Sequence, residues 1–392
     1  MIIEKTDLTL KEGNIHENHP IFSVVIPTYG RFDLVEELFV SIQKAITQSE
    51  INVEVIIVDD SPKSEQDKIE KLCKQFNYKY ISGPHSVRAK RNLGIENSKG
   101  EIIFFTDSDC LVSPNIFIEH LKLYNNPDTA GVLGITEFIG KENITWKIVS
   151  KTMFFDAFSF ATTLNNITDS APWGTCTNLS FKKKVLEDVG KFDTSLPFKL
   201  GGEDTELGVR VNKAGYKIKM NPDAKVFHSR ETWNTKGLVE RAFRWGRADY
   251  HILKKYPELG NIAFPNFFMV LLFVVLVCIP FILTKHYIIT FFIIFVWIFS
   301  TILLEATIKI VKNGEKFHYI FFYLTAICLN LIFDLGTIFE SLKNGSSSML
   351  FKRIVYTPAQ LTIEWESEVV RSLSIITGLI MMLIIVWISK GV

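Results

Sequence analysis

The chain has 392 residues, 47% of them hydrophobic, and a formal charge of +1. That length holds one full α/β domain with material to spare, and that apolar content exceeds what an ordinary soluble enzyme carries, so the excess has to be localised. A near-zero charge without a basic run interleaved with aromatics excludes nucleic acid as a partner, and 5 scattered cysteines without paired spacing suggest neither zinc nor a redox pair but fit a reducing cytosol.

Residues 1–20 form a polar tail with no apolar core of the kind a secretory signal requires, so the domain behind it is expected not to be exported. Apolar runs at 22–27, 53–58 and 101–106 read as buried strands, and 32–47, 67–75 and 87–97 between them have helical length and spacing. The alternation predicts a mostly parallel sheet. Ligands bind beyond the carboxyl ends of such strands, where residues 27–31, 59–62 and 107–109 fall.

The first of these turns, Pro27-Thr28-Tyr29-Gly30-Arg31, lacks a glycine-rich pyrophosphate cradle, and no Walker-type loop occurs elsewhere. A dinucleotide enzyme and a nucleotidyltransferase of similar fold both lose their phosphate loop. The third turn is Asp107-Ser108-Asp109, whose carboxylates can share a divalent cation or divide between cation and ribose. Asp59-Asp60 at the second turn can face a ligand or cap the next helix.

Further along, Glu203-Asp204 precedes a helix expected over 205–214, where carboxylates also suit the helix N-terminus. Two adjacent acids disfavour a second negative charge and raise the pKa of Asp204. His228 follows the run 223–227, and the aromatic-rich stretch 146–173 carries no chemical signature and is expected to shape an acceptor entrance.

From residue 236 the composition changes. Lys236, Arg241, Arg244, Arg247, Lys254 and Lys255 lie on an amphipathic stretch, 236–260, that reads as an interfacial helix. Uncharged stretches follow at 261–284, 286–304, 317–333 and 372–389, each near the roughly 20 residues that cross a bilayer. The basic flank places the preceding domain in the cytoplasm, at a multi-pass cell membrane anchor. About four crossings would leave Lys285 and the segment 341–371 outside; in the alternative the third stretch re-enters rather than crosses, with Asp334 buried among helices or near the interface, and the segment stays inside.

Taken together, the segment 23–31, Asp59-Asp60, Ala89-Lys90-Arg91-Asn92-Leu93-Gly94, Asp107–Asp109, the segment 174–181, Gly190-Lys191-Phe192-Asp193 and Gly202-Glu203-Asp204-Thr205-Glu206-Leu207 resemble the family-two glycosyltransferases with the GT-A fold. The resemblance covers residues 21–230. With the change of composition it divides the chain into 21–235 (GT-A), 236–260 (interfacial) and 261–392 (membrane), and it implies an inverting transferase moving a sugar from a nucleotide diphosphate donor. Pro27, Tyr29 and Asp60 would line base and ribose, Arg91 would lie near the nucleotide, and Asp107 would face ribose or sugar. Asp109, with His228, would hold Mg²⁺ or Mn²⁺. Asp204 would be the base, with Glu203 beside it.

The tethered active site suggests a lipid-linked or oligosaccharide cell-envelope acceptor at the membrane. Arg241-x-x-Arg244-Trp245 is similar to the Gln-x-x-Arg-Trp signature of processive polysaccharide synthases, but Arg241 replaces the glutamine, which puts processivity in doubt. A catalytically inactive nucleotide-sugar-binding scaffold is disfavoured by Asp109, Asp204 and His228.

Overall fold

The computed structural model describes residues 19–152, 158–197, 199–230, 233–262, 266–283, 285, 287–354 and 369–380. They divide into two compact units: Met1–Lys141, Asp156–Phe198 and Glu203–Thr232 in one, and Glu142–Phe155, Lys199–Gly202 and Trp233–Val392 in the other.

The first unit opens as the alternation predicts, with β1 (Phe22–Thr28), α1 (Phe32–Ser49), β2 (Val53–Asp59), α2 (Lys63–Phe76), β3 (Lys79–Ser82), α3 (Val87–Glu96) and β4 (Ile102–Phe105). Then come β5 (Cys110–Val112), α4 (Ile116–Tyr124) and β6 (Thr129–Ile139); the short α5 (Ile144–Val149) falls in the second unit. The first unit resumes with α6 (Phe160–Thr163), β7 (Leu179–Lys182), α7 (Lys183–Val189), α8 (Glu203–Lys213) and β8 (Lys217–Ser229).

Eight strands make one sheet in the order β3-β2-β1-β4-β7-β6-β8-β5. Its first half is parallel, while β7 runs antiparallel to both β4 and β6, and β5 runs antiparallel to β8. The GT-A expectation is met. Every residue of β1 is buried, as a strand covered on both faces requires. Against one face, Val35, Leu38, Phe39 and Ile42 of α1, Ile69 of α2 and Phe117 of α4 pack on Val24, Ile26, Ile57 and Phe104. On the other, α3 approaches β1 so closely that a Cβ on Gly94 would lie 2.3 Å from Val25 Cγ1. That contact explains the glycine of the Ala89–Gly94 motif.

The second unit holds α9 (Thr235–Lys255), β9 (Gly260–Ile262), α10 (Phe267–Leu283), α11 (Tyr287–Lys312), α12 (Ile320–Lys343), β10 (Lys352–Ile354) and α13 (Val369–Ile380). Among the described residues, Thr290–Lys312 and Phe317–Lys343 are long and apolar enough to cross a membrane, and α10 and α13 contribute shorter apolar helices. Two of these helices outrun the apolar stretches read from sequence. α11 continues past Leu304 through Glu305 and Lys309, and α12 continues past Phe333 through Asp334 and Glu340. Hydropathy ends where the first charge appears, whereas a helix continues if those charges find partners. The last stretch, 372–389, lies outside the described residues beyond Ile380.

Candidate active site

The carboxyl ends of β1, β2 and β4 and the start of α8 bring together most of the residues singled out in the sequence. Asp107, Ser108 and Asp109 form the link from β4 to β5. Because β5 pairs with β8 in the register Cys110↔His228, the imidazole is delivered beside the acidic turn. His228 Nε2 lies 3.5 Å from Asp109 Oδ1. Nδ1–H donates to the Ser229 carbonyl at 3.0 Å, and the ring stacks on Phe138 at 5.3 Å, so Nε2 is the nitrogen turned to the carboxylate.

Asp109, Cys110 and His228 place one potential ligand atom each within 4.8 Å of one another. Burial raises the Cys110 thiol well above its ordinary range, so it stays protonated. The set that remains, a carboxylate and an oriented imidazole, fits Mg²⁺ or Mn²⁺ better than a thiolate-seeking ion. The other Asp109 oxygen pairs with Arg31, whose backbone takes the left-handed conformation (φ 62°) just ahead of α1. Non-glycine residues adopt that region at a cost, and the strain here falls at the site. Sequence reasoning missed Arg31, although it ends the first turn.

Arg91 lies at the centre. Its guanidinium, 4% exposed, donates to Asp107 Oδ1 and to Glu203 Oε1, both at 3.0 Å. Thr177 Oγ1 donates to the second Asp107 oxygen at 3.1 Å. Asn92 and the Phe192 backbone exchange two hydrogen bonds of 2.8 and 2.9 Å, and Arg91 sits over the Phe192 ring. The Ala89–Gly94 and Gly190–Asp193 motifs, far apart in sequence, are thus two halves of one contact.

Asp204 opens α8 beside Glu203, and Thr205 N–H donates to its carboxylate at 2.9 Å. Desolvation, and then the Glu203 charge, push its pKa up from the ordinary carboxylate value to about 7, against the pull of Arg91. The expected elevation is therefore present, and its larger cause is burial.

Asp60 is buried between Lys90 and His85, to both of which it is bonded, and Lys90 Nζ also donates to Thr28 O at 2.7 Å. The basic partner of Asp60 is Lys90, not its neighbour Arg91. Asp59 is structural: it accepts from Ser61 N–H at 3.0 Å and from the Tyr80 hydroxyl at 3.2 Å. Tyr29 is exposed, its ring edge-on to His85 at 5.6 Å, whereas Pro27 is buried within β1 opposite Val58.

Behind the site, His120 bridges Ser180 and Asn178 at 2.8 and 2.9 Å, and Asn178 donates to the carbonyls of Ile135 and Ala224. Burial lowers His120 to about 4, so this neutral network ties α4 to β6, β7 and β8 at all physiological pH. In the second unit, Arg241 stacks over the rings of Trp233 at 4.2 Å and Trp245 at 5.8 Å. That cation–π packing accounts for an arginine where the synthase signature has glutamine.

The sequence profile described as Glycosyl transferase family 2 matches residues 23–190. Glycosyltransferase AglE of Haloferax volcanii is 25% identical over 59% of this chain and 74% of its own length. Probable glycosyltransferase YdaM of Bacillus subtilis is 24% identical over 60% of this chain and 57% of its own length, so the match spans little more than half of that relative. Mannosyltransferase PcManGT from Pyrobaculum calidifontis, solved with GDP-Man and Mn²⁺, aligns at TM-score 0.46 and 18% identity over 62% of this chain and 66% of that one. The profile match and the matching relatives identify residues 23–190 as a glycosyltransferase family 2 domain.

Proposed function

We propose that this enzyme performs inverting hexosyl transfer from a nucleotide-diphospho-sugar to a lipid-linked or membrane-proximal cell-envelope acceptor, at the cytoplasmic face of a multi-pass membrane anchor. The observation that carries the reading is the pairing of β5 with β8, which sets His228 against Asp109 of the acidic turn after β4. Asp109 and His228 would hold Mg²⁺ or Mn²⁺, whose chemistry when bound is charge compensation at the diphosphate oxygens.

The remaining roles belong to this chain's own groups. Tyr29, exposed beside His85, and Asp60, in its Lys90–His85 clasp, would receive base and ribose, with Pro27 behind them in β1. Arg91 fixes Asp107 on the donor side and Glu203 on the acceptor side at the same 3.0 Å. Asp204 takes the proton of the attacking acceptor hydroxyl. A carboxylate poised at about 7 is a stronger base than an ordinary aspartate and is still ionised in a useful fraction at neutral pH. Inversion follows if that hydroxyl attacks the anomeric carbon directly, opposite the departing diphosphate.

The membrane part of the reading rests on the apolar helices α10, α11 and α12 and the basic face of α9. The test is a panel of nucleotide sugars assayed in purified membranes for release of nucleoside diphosphate, with Mn²⁺, with Mg²⁺ and with chelator. Release from one donor that chelator stops and metal restores is the expected outcome. Equal release under all three conditions would remove the cation from the mechanism, and no release from any donor would remove the transferase.

A further inference from the structure

The helical unit has a property that hydropathy does not reveal: both ends of its third long helix come to the same end of the bundle. α10 and α11 form an antiparallel hairpin, with Lys285 between them, and Val270, Val274 and Cys278 pack against Ile293, Ile294 and Trp297. The beginning of α10 and the end of α11 are therefore on one side, and Lys285 is on the other. α12 starts next to the end of α11, where Asn313 Nδ2 donates to the Tyr323 hydroxyl at 2.8 Å. With 24 residues it is about 36 Å long, enough to reach the level of Lys285 if it crossed.

It does not go there. The turn that follows α12, Ser347–Phe351, meets the first turn of α10: Asn266 Nδ2 donates to Leu350 O at 2.8 Å, and the rings of Phe268 and Phe351 are 5.9 Å apart. α13 also begins on this side, with Arg371 3.8 Å from Glu305, and runs back along α11 through Ser374, which accepts from Trp297 Nε1 at 2.7 Å.

We infer that α12 lies in the membrane interface alongside α9, while α10 and α11 cross. This rests on the reading of α10 and α11 as membrane helices. The α9–α12 contact is backbone on backbone: a Cβ on Gly246 would lie 1.8 Å from Phe333 O, and one on Gly336 would lie 2.2 Å from Phe243 O. Thr337 Oγ1 bonds Gly246 O at 2.8 Å across the crossing. Small residues permit such approach, and an amphipathic interfacial helix such as α9 then fixes the depth of its partner.

Charge agrees with this placement. Asp334, in the middle of α12, pairs with Arg353 at 3.2 Å, and Glu340 pairs with Arg247 at 2.7 Å and His251 at 3.3 Å. In a crossing helix Asp334 would sit near mid-bilayer, at a cost of roughly 2.5–3.5 kcal/mol or more on insertion scales; at the interface it does not. The surface of α12 that faces away from the protein is an apolar stripe at seven-residue spacing, Phe321, Cys328, Leu335 and Leu342. Acyl chains are its occupant, as for α11, which likewise exposes Phe291, Phe292, Phe295 and Phe299.

The test is sided labelling of the full-length protein in sealed vesicles. Single cysteines at Lys236, Lys285, Lys316 and Ser347 are placed in a Cys328→Ser background, because the other cysteines are buried. Each is exposed to a membrane-impermeant maleimide before and after permeabilisation, with the mass shift as readout. The expected result groups Lys236, Lys316 and Ser347 on one side and Lys285 alone on the other. Ser347 grouping with Lys285, while Lys316 stays with Lys236, would overturn the in-plane placement and leave the membrane anchor intact. All positions labelling on one side without permeabilisation would remove the crossings of α10 and α11, and this inference with them.

Discussion

Buried charge is treated differently in the two units. In the helical unit the buried carboxylates Glu340 and Glu305 and the half-buried Asp334 each meet an arginine from another element: Arg247, Arg371 and Arg353. In the catalytic unit Asp107 and Glu203 share Arg91, Asp109 leans on the half-exposed Arg31, and Asp204 is lifted by burial beside Glu203. Giving each acid at least one base serves the fold, because a buried charge stripped of its partner is costly. Four acids against fewer cations, at the ends of strands, instead leave charge to be completed by something that binds.

The comparison predicts where a lost carboxylate harms chemistry and where it harms folding. Asp109→Ala should lower turnover by about 10³ or more while the melting temperature stays within a few degrees, measured in detergent-purified protein. Normal turnover would take Asp109 out of the site. Asp204→Asn should lower transfer by roughly 10²–10⁴ yet keep donor affinity, read by single-turnover rates beside equilibrium binding. A variant that loses affinity but keeps its saturated rate would move Asp204 to the donor side.

In the helical unit the signature should reverse. Glu340→Ala strands Arg247 and should cost about 3 kcal/mol of stability, the lower end for a broken buried pair since Arg247 is partly exposed. Replacing both, as Arg247→Met with Glu340→Leu, should restore most of the loss in the same thermal assay. If the double variant is no better than the single, the pair is more than mutual compensation. Gly94→Ala, which pushes a Cβ into Val25, should cost about 1–3 kcal/mol by overpacking.

The smallest effect concerns pH. Asp204 has a folded pKa above its unfolded one, so its contribution to stability is present at acid pH and is lost as pH climbs through about 7. Asp204→Asn should melt with the parent near pH 4 and above it near pH 8. The acid limb of kcat/KM in the parent should fall near 7 and disappear in the variant's residual activity. A parent rate that is flat from pH 5 to about 8 would separate the titration from catalysis.

Much of this was legible in the chain itself. Period and turn chemistry fixed β1, β2, β4 and the helices between them to within a few residues, because a strand buried on both faces must be a continuous apolar run and its ligand turn must follow it. Motif spacing brought out Asp107, Asp109, Glu203 and Asp204 for the same reason: a residue type at a strand end or helix start is a local matter. Partners were not legible. That Arg91 would bridge Asp107 and Glu203, 16 and 112 positions away, and that Asp60 would take Lys90 and His85, depended on how the sheet ends converge. Hydropathy likewise found apolar stretches but ended them at the first charge, since it registers what a residue costs in lipid and not whether another helix repays it. The pairing of Cys110 with His228, and the lengths of α11 and α12, were decided by contacts between segments distant in sequence, which only the folded chain brings together.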